Sequence, residues 1–424
     1  MAVGTHPESV VIVGAGQGGY QTAASLRERG YPGRITLIGA EDTLPYERPP
    51  LSKAYLKGPE HLTADEHLWL RPAEYYARQS IDLVTGVVTD IDPAARRVRL
   101  ADGSGYDYGH LVLATGARPR TLDVPGAGLR GVHTLRSARD AAALRASLAA
   151  ARGAVVVGAG FIGLEFAAAA RESGREVTVV EALDRPLARV VSARTAEHFT
   201  RLHRREGTRL LFGQGVAALH GDGRGHVAAV ELADGRRLPA DLVLIGVGVT
   251  PRTGLAAAAG LPVSGGITVD SQLLTADPHI SAIGDCAVFP EARSGDRLRL
   301  ESVQNAVGHA QLVAERLTGT PRAYDELPWF WSDQFSTTVQ IAGLGHGHDT
   351  EVVLGDDPDA FSVLLFRGEE LRAVESVNRP ADHLAARRLL GRGVGPRPEE
   401  AAAPGFTLKA HLARHREGPV APVG

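Results

Sequence analysis

Twice in this chain a short run of β-branched and aliphatic residues breaks into a glycine-rich turn and then into a helical pattern. The first copy runs SVVIV from Ser9 to Val13, then GAGQGG, then YQTAASLRERG, and closes on a second apolar run, ITLIG. The second, AVVVGAGFIGLEFAAAARESGREVTVVE, spans Ala154 to Glu181. The copies lie 144 residues apart, counted from Gly14 to Gly158. That spacing is too long for a solenoid and suits two nucleotide-binding domains. A repeated strand–turn–helix–strand unit restricts the chain to an α/β architecture with parallel sheets.

The turns carry glycines at GxGxxG spacing: Gly14, Gly16 and Gly19, then Gly158, Gly160 and Gly163. The first glycine lets the chain turn sharply after the strand, the second lets the backbone approach a pyrophosphate, and the third lets helix and strand pack closely. Free N–H groups and the helix dipole favour the phosphate charge. One such motif is a weak signal. Here each copy follows a strand pattern and opens a helical one, so mere tight turns are the minor reading. An acidic residue also follows each turn, Glu41 after the first and Glu181 after the second. Glu181 closes the strand TVVE, where a carboxylate accepts hydrogen bonds from an adenosine ribose and repels a 2′-phosphate. The residue therefore points to NADH rather than NADPH. Arg185, four residues on, pulls the other way and is outweighed. The competing reading of Glu181 is a solvated surface carboxylate.

Two dinucleotide sites need a reason to share a chain. Thiol chemistry does not supply it, because Cys286 is the one cysteine among 424 residues and no CxxC pair exists. Two cofactors exchanging electrons, FAD and NAD, are the natural pair. The remaining composition is that of an ordinary globular protein of two or three domains. A net charge of −3 does not favour nucleic acid or an anionic membrane. The first apolar run lacks preceding Lys or Arg and enters glycines at once, so it reads as a strand, not a signal peptide. A cytoplasmic protein without a membrane span is expected. The sixteen histidines show no spacing that demands a metal.

Three further strands end in glycine and polar residues: HLVLATGARPR (110–120), ADLVLIGVGVTPRT (240–253) and HISAIGDC (279–286). In open α/β sheets, ligands sit beyond such carboxyl ends. Asp285, at the last of these, can accept hydroxyl hydrogen bonds; an ordinary turn aspartate is the alternative. The segment ESVQNAVGHAQLVAERL reads as a helix starting near Glu301–Ser302, either a dipole aimed at a cofactor or a Ser-capped core helix. After about Leu327 the texture changes to an α+β domain with an antiparallel sheet, opened by PWFWSDQF. Trp329 and Trp331 there are core residues or a shield beside a cofactor. PRPEEAAAPG reads as a flexible connection, and LKAHLARHREG as a short helix or a frayed end. Cys286 reads as a small packing residue.

The stretches LPYERPPLSKAYL (44–56), LATGARPR, GFIGLE, TADPHISAIGDC, ESVQNA and PWFWSDQF resemble the bacterial FAD-dependent NADH:ferredoxin reductases. That group takes in putidaredoxin reductases, rubredoxin reductases and the reductase components of aromatic dioxygenases. The likeness covers about Val10 to Pro380. It implies two Rossmann-like dinucleotide-binding domains plus a C-terminal α+β domain. The FAD-binding domain would occupy 1–120 and 246–325, the inserted NAD-binding domain 121–245, and the C-terminal domain 326–424. By the same resemblance, Gly14, Ala15, Gly16 and Gly18 meet the FAD pyrophosphate, Gly19 belongs to the same cofactor-binding turn, and Val88 contacts adenine. Ala114, Thr115 and Gly116 cover the cofactor, with Arg120 and Arg136 nearby. Gly284 and Asp285 hold its ribityl–phosphate region, and Ser302 and Val303 lie near the flavin pyrimidine. Arg48, Phe161, Ile162, Gly248 and Trp331 complete the cofactor-binding set. Lys53 would lie beside the isoalloxazine and pair with Glu165, on the first turn of the second glycine-led helix. Relatives often carry Asp where this chain has Ala40, so Glu41 becomes the substitute for the ribose contact.

The resemblance implies an NADH-dependent enzyme that reduces FAD by hydride and passes single electrons to a small acidic 2Fe–2S ferredoxin, which feeds a cytochrome P450 or another oxygenase. Arg71, Arg372 and Lys409 are candidates for the docking surface. A monomer or weak homodimer is expected. Two alternatives stand beside it. One is an NADH-sensing flavoprotein with slow turnover, like apoptosis-inducing factor. The other is an NADH oxidase, which the lack of any cysteine before Cys286 disfavours.

Overall fold

Strands buried on both faces must be apolar at consecutive positions, and Val10, Val11, Ile12 and Val13 are all buried. They form the centre of a five-stranded parallel sheet. Its order is Ile280–Ala282, His110–Leu113, Ser9–Val13, Arg34–Gly39, Ile81–Thr85. The computed structural model describes residues 6–58, 68–292 and 295–415. Among them, 6–48, 68–118 and 249–326 form one compact unit, and 49–58, 119–248 and 327–415 form a second.

In the first unit, the helix Gln17–Glu28 covers the sheet with Gly18, Gly19, Ala23 and Ala24 buried. The helix Val303–Leu317 packs on it, and the small residues bring the two together: a β-carbon on Gly18 would lie 3.7 Å from that of Ala306. A three-stranded antiparallel sheet, Val88–Asp92, Arg97–Leu100 and Gly105–Asp107, completes this unit's larger features.

The second unit repeats the scheme. Its parallel sheet has the order Val132–His133, Leu242–Ile245, Gly153–Val157, Glu176–Val180, Arg209–Leu211. Gly153–Val157 here holds the place of Ser9–Val13 in the first sheet. An antiparallel sheet of Val216–Gly221, Val227–Leu232 and Arg237–Pro239 again accompanies it. The same unit contains a five-stranded antiparallel sheet, ordered Trp329–Gln334, Thr337–Gly343, Glu370–Val377, Ala360–Arg367, Thr350–Asp357. Helix Pro380–Arg392 packs on that sheet. It starts with Pro at N1 and stops at Gly393, whose φ is 66°, as the asymmetry of helix ends requires. The fold is thus α/β, with two parallel dinucleotide-type sheets and a C-terminal α+β region.

Three expectations need correcting. The long strands read at 110–120 and 240–253 are each broken in two, into His110–Leu113 and Ala117–Pro119 and into Leu242–Ile245 and Val249–Pro251. Gly116 and Gly248 turn the chain there with φ of 66° and 99°. The stretch read as a flexible connection holds a helix, Pro398–Ala402. Glu400 receives the Arg397 N–H at 2.9 Å, and Ala401 is buried in the core of the region. Glu165 is the fifth residue of the helix Phe161–Glu172, just past the first turn where it was expected. Among the described residues no helix is long and apolar enough to cross a membrane.

Candidate functional site

The two glycine turns are one construction made twice. The Gly14 N–H donates to the Ile38 carbonyl at 2.8 Å, and the Gly158 N–H to the Val180 carbonyl at 2.8 Å. Gly14 and Gly158 hold φ of 113° and 106°, which L side chains rarely adopt. A β-carbon would stand 2.2 Å from the Ala114 carbonyl oxygen at Gly14 and 2.5 Å from that of Gly246 at Gly158. At Gly19 it would lie 1.9 Å from the Gly14 carbonyl oxygen, and at Gly163 2.2 Å from that of Gly158. The middle glycines differ: a β-carbon on Gly16 or Gly160 would meet nothing within 4 Å. The fold therefore requires the first and third glycines, whereas the second leaves an open face. There, at the carboxyl end of a parallel strand and the start of a helix, a pyrophosphate can approach the backbone. Both turns fit a dinucleotide on this ground.

Around the first turn, the β-carbon of Ala15 faces Gly39, whose own added β-carbon would lie 2.8 Å from it. Glu41, just beyond that strand, accepts from Arg48 Nη2 and from the Tyr46 hydroxyl, each at 2.7 Å. Thr115 Oγ1 donates to the Arg252 carbonyl at 2.7 Å, and the Arg252 N–H donates to the Gly116 carbonyl at 2.9 Å. These bonds fix the bend that follows Ala114. Asp285 sits in the 3-10 turn Gly284–Cys286. The N–H of Gly284 donates to His309 Nδ1 at 3.1 Å. His309, which sequence reasoning missed, is wholly buried between Phe289 and Tyr324. Burial pulls its pKa down to about 3, so the ring is neutral and Nδ1 is free to accept. Ser302 Oγ accepts the Asn305 N–H at 3.1 Å and caps the helix that opens at Val303. Val88 is buried in the core. Cys286 is fully buried, and its Sγ donates to the Ile283 carbonyl at 3.2 Å. Burial pushes that thiol's pKa up, the opposite of what a reactive cysteine needs.

Around the second turn, Glu181 reaches back into the glycine loop. Its Oε2 accepts the Ala159 N–H at 2.7 Å and its Oε1 the Leu183 N–H at 2.9 Å. Arg185 turns away to the carbonyls of Ala188 and Val191, at 3.1 and 3.5 Å. The Arg120 N–H donates to the Gly248 carbonyl at 2.9 Å, and the Arg136 N–H to Asp140 at the capping box of the next helix. Ile162 is 43% exposed. The Phe161 ring lies 4.6 Å from that of Phe330, which neighbours Trp331, and Trp331 in turn lies 6.0 Å from Trp329.

Lys53 and Glu165 meet within the second unit. Lys53 Nζ stands 2.9 Å from Glu165 Oε1, and the glutamate is buried. Two hydroxyls share the carboxylate: Ser52 Oγ donates to Oε2 at 2.5 Å and Ser332 Oγ to Oε1 at 2.6 Å. A buried carboxylate needs such donors, since an unpaired buried charge is very costly. Ser52 and Ser332 carry no sequence signal of their own. The result is an ammonium group 18% exposed at its side chain, held from below and presented in one place.

At residues 8–310 the chain matches the family described as pyridine nucleotide-disulphide oxidoreductase, and at 329–412 the one described as reductase C-terminal. It is 49% identical over 413 residues to the rhodocoxin reductase of Rhodococcus erythropolis, covering 96% of this chain and 95% of that protein. The crystal structure of the ferredoxin reductase for the CYP199A2 system from Rhodopseudomonas palustris matches with a TM-score of 0.93. There the identity is 48%, over 96% of this chain and 100% of the other. The reductase in the crystal structure of a covalent putidaredoxin reductase–putidaredoxin complex matches with a TM-score of 0.92. It is 37% identical, over 97% of this chain and 99% of the other.

Proposed function

This chain belongs to the pyridine nucleotide-disulphide oxidoreductase family, and on that premise we propose that it is an NADH-dependent ferredoxin reductase holding FAD at its first glycine turn and NADH at its second. When bound, the two cofactors supply the redox chemistry, a hydride from NADH to FAD and then single electrons to the partner. The observation that carries the reading is the doubled turn: two sites, each with an open middle glycine, in a chain whose one cysteine is buried. A thiol-based peroxidase or oxidase cycle has no residue to run on.

The chain's own residues have positional tasks. The N–H groups at Gly14–Gly19 and Gly158–Gly163 receive the pyrophosphates. Ala114, Thr115, Gly116, Gly284, Asp285, Ser302 and Val303 would hold the flavin, and Val88 the adenine. Lys53, whose Nζ is fixed by Glu165, would be the residue that meets the flavin ring, as the resemblance implies. Glu181 already accepts an N–H from the glycine loop and can take ribose hydroxyls in exchange. A 2′-phosphate would meet this carboxylate, while Arg185 is committed to backbone carbonyls. Glu181→Ala is therefore expected to reduce the preference for NADH over NADPH, measured as the ratio of kcat/KM values, by about tenfold or more.

The partner reading is a small acidic 2Fe–2S ferredoxin serving a cytochrome P450 or another oxygenase, with the reductase a cytoplasmic monomer or weak homodimer. Support comes from the relatives, one of which is the ferredoxin reductase for the CYP199A2 system and another the reductase crystallised in covalent complex with putidaredoxin. Of the basic candidates, Lys409 is exposed. Arg372 lies 3.2 Å from Glu370, and Arg71 lies over the Tyr75 ring at 5.6 Å. Lys409 is thus the first to mutate for a salt-dependent association rate. The deciding experiment is NADH-driven cytochrome c reduction with and without added 2Fe–2S ferredoxins. Strong dependence on a ferredoxin supports the reductase. Slow turnover with every ferredoxin tried, and a long-lived reduced flavin, would replace it with the NADH-sensing flavoprotein.

A further inference from the structure

Behind Ser332 the polar path continues. Gln334 Nε2 donates to Ser332 Oγ at 3.2 Å. Gln334 Oε1 faces His203 Nε2 at 2.9 Å, and His203 Nδ1 faces Thr208 Oγ1 at 3.4 Å. Glu165, Ser332, Gln334, His203 and Thr208 are all buried, none more than 3% exposed. They come from the helix Phe161–Glu172, the strand Trp329–Gln334, the helix Ala193–Arg205 and the turn after it.

Hydrogen bonding gives the path one direction. Glu165, paired with Lys53, is a carboxylate and can only accept. Ser332 must therefore donate to it and is left to accept. Gln334 must then present its NH2 to Ser332, which turns its oxygen to His203. That oxygen needs an N–H, so His203 carries its proton on Nε2, and Nδ1 accepts from the Thr208 hydroxyl. The ring is neutral, since burial lowers the His203 pKa to about 4. Every donor in the chain points toward Glu165, and each link polarises the next in the low-dielectric interior.

We propose that Ser332, Gln334 and His203 are positioning residues that act through Glu165 to hold the Lys53 ammonium in its working place at the flavin. This deepens the reading of Lys53 given above and rests on it. The chain crosses no solvent boundary, so its task is orientation and charge stabilisation rather than proton delivery.

The test is a double-variant cycle on the FAD-loaded enzyme, read as the anaerobic rate of flavin reduction at saturating NADH and as KM for NADH. Ser332→Ala should slow reduction about tenfold, the rate equivalent of one lost bond to the carboxylate, and Gln334→Met, which keeps volume and loses two neutral bonds, should slow it about three- to tenfold, each with KM little changed. Ser332→Thr, which keeps the hydroxyl, should restore most of the rate. Combined with Lys53→Met, Gln334→Met should have no further effect. FAD content and thermal midpoint, followed in every variant, separate misfolding from loss of position, and Gln334→Met carries the test should Ser332→Ala not hold FAD. Two results overturn the proposal alone. One is a slow Lys53→Met with a fast Gln334→Met and Ser332→Ala. The other is a Gln334 effect that persists undiminished in the Lys53→Met background. A Lys53→Met that reduces its flavin at the normal rate overturns the reading of Lys53 and the proposal with it.

Discussion

Glu165 shows what a single residue discloses and what it hides. The GFIGLE stretch and PPLSK brought it and Lys53 to notice through resemblance. The hydroxyls that hold it come from Ser52 and Ser332, 113 and 167 residues away in sequence. Local pattern does not carry partners at that separation, and serine is too common to stand out. His309 was hidden for the same reason: its task, accepting the Gly284 N–H, exists only once helix and turn are packed. Replacing it by leucine leaves that buried N–H without an acceptor. His309→Leu is therefore expected to cost about 1–3 kcal/mol in urea unfolding and to speed FAD release, followed by flavin fluorescence. His309→Asn, which retains an acceptor, should lose less if its shorter side chain still reaches the N–H.

At the scale of the element, the glycine turns were the most legible part of the chain, because their chemistry is local and strand, turn and helix are contiguous. Even so, the sequence does not distinguish a glycine the fold needs from one the ligand needs. The structure separates them. Gly163→Ala would drive a methyl into the Gly158 carbonyl, and a contact of that kind is expected to destabilise by roughly 1–3 kcal/mol or more. Gly160→Ala has room, so its thermal midpoint should stay near that of the parent while KM for NADH rises several-fold. Thermal melting and NADH titration of the pair check both statements. Strand lengths were less legible: extended backbone resumes after Gly116 and Gly248, and the sequence does not show that the chain turns at each. The helix Pro398–Ala402 was missed because it is one turn long and rich in Pro and Glu. Its capping bond and the burial of Ala401 settle it, and neither is a matter of composition.

For the molecule as a whole, buried neutral histidines set the acid side of stability. His309 has its pKa lowered to about 3, and His203 and His383 theirs to about 4, from an ordinary 6.5. The unfolded chain therefore binds more protons than the folded one between those values and 6.5. Their contribution is whole above pH 6.5 and falls as pH drops through that window. Unfolding free energy should level off above pH 7 and be lower by roughly 3–6 kcal/mol at pH 5, from urea titrations at each pH. An unchanged value at pH 5 would mean these rings charge without leaving the fold. The first unit also has an order of arrival built into it. Four of its five strands lie within residues 9 to 113, yet the strand that covers the edge at His110–Leu113 is Ile280–Ala282, and the helix packed on Gln17–Glu28 is Val303–Leu317. A fragment of residues 1–118 should accordingly associate through its unpaired edge, visible by light scattering at micromolar concentration. On the ribosome four strands of that sheet emerge long before the fifth. The nascent chain must keep an unfinished edge from its neighbours while the residues between Leu113 and Ile280 are made, so this unit's folding is timed by translation and not by its own speed.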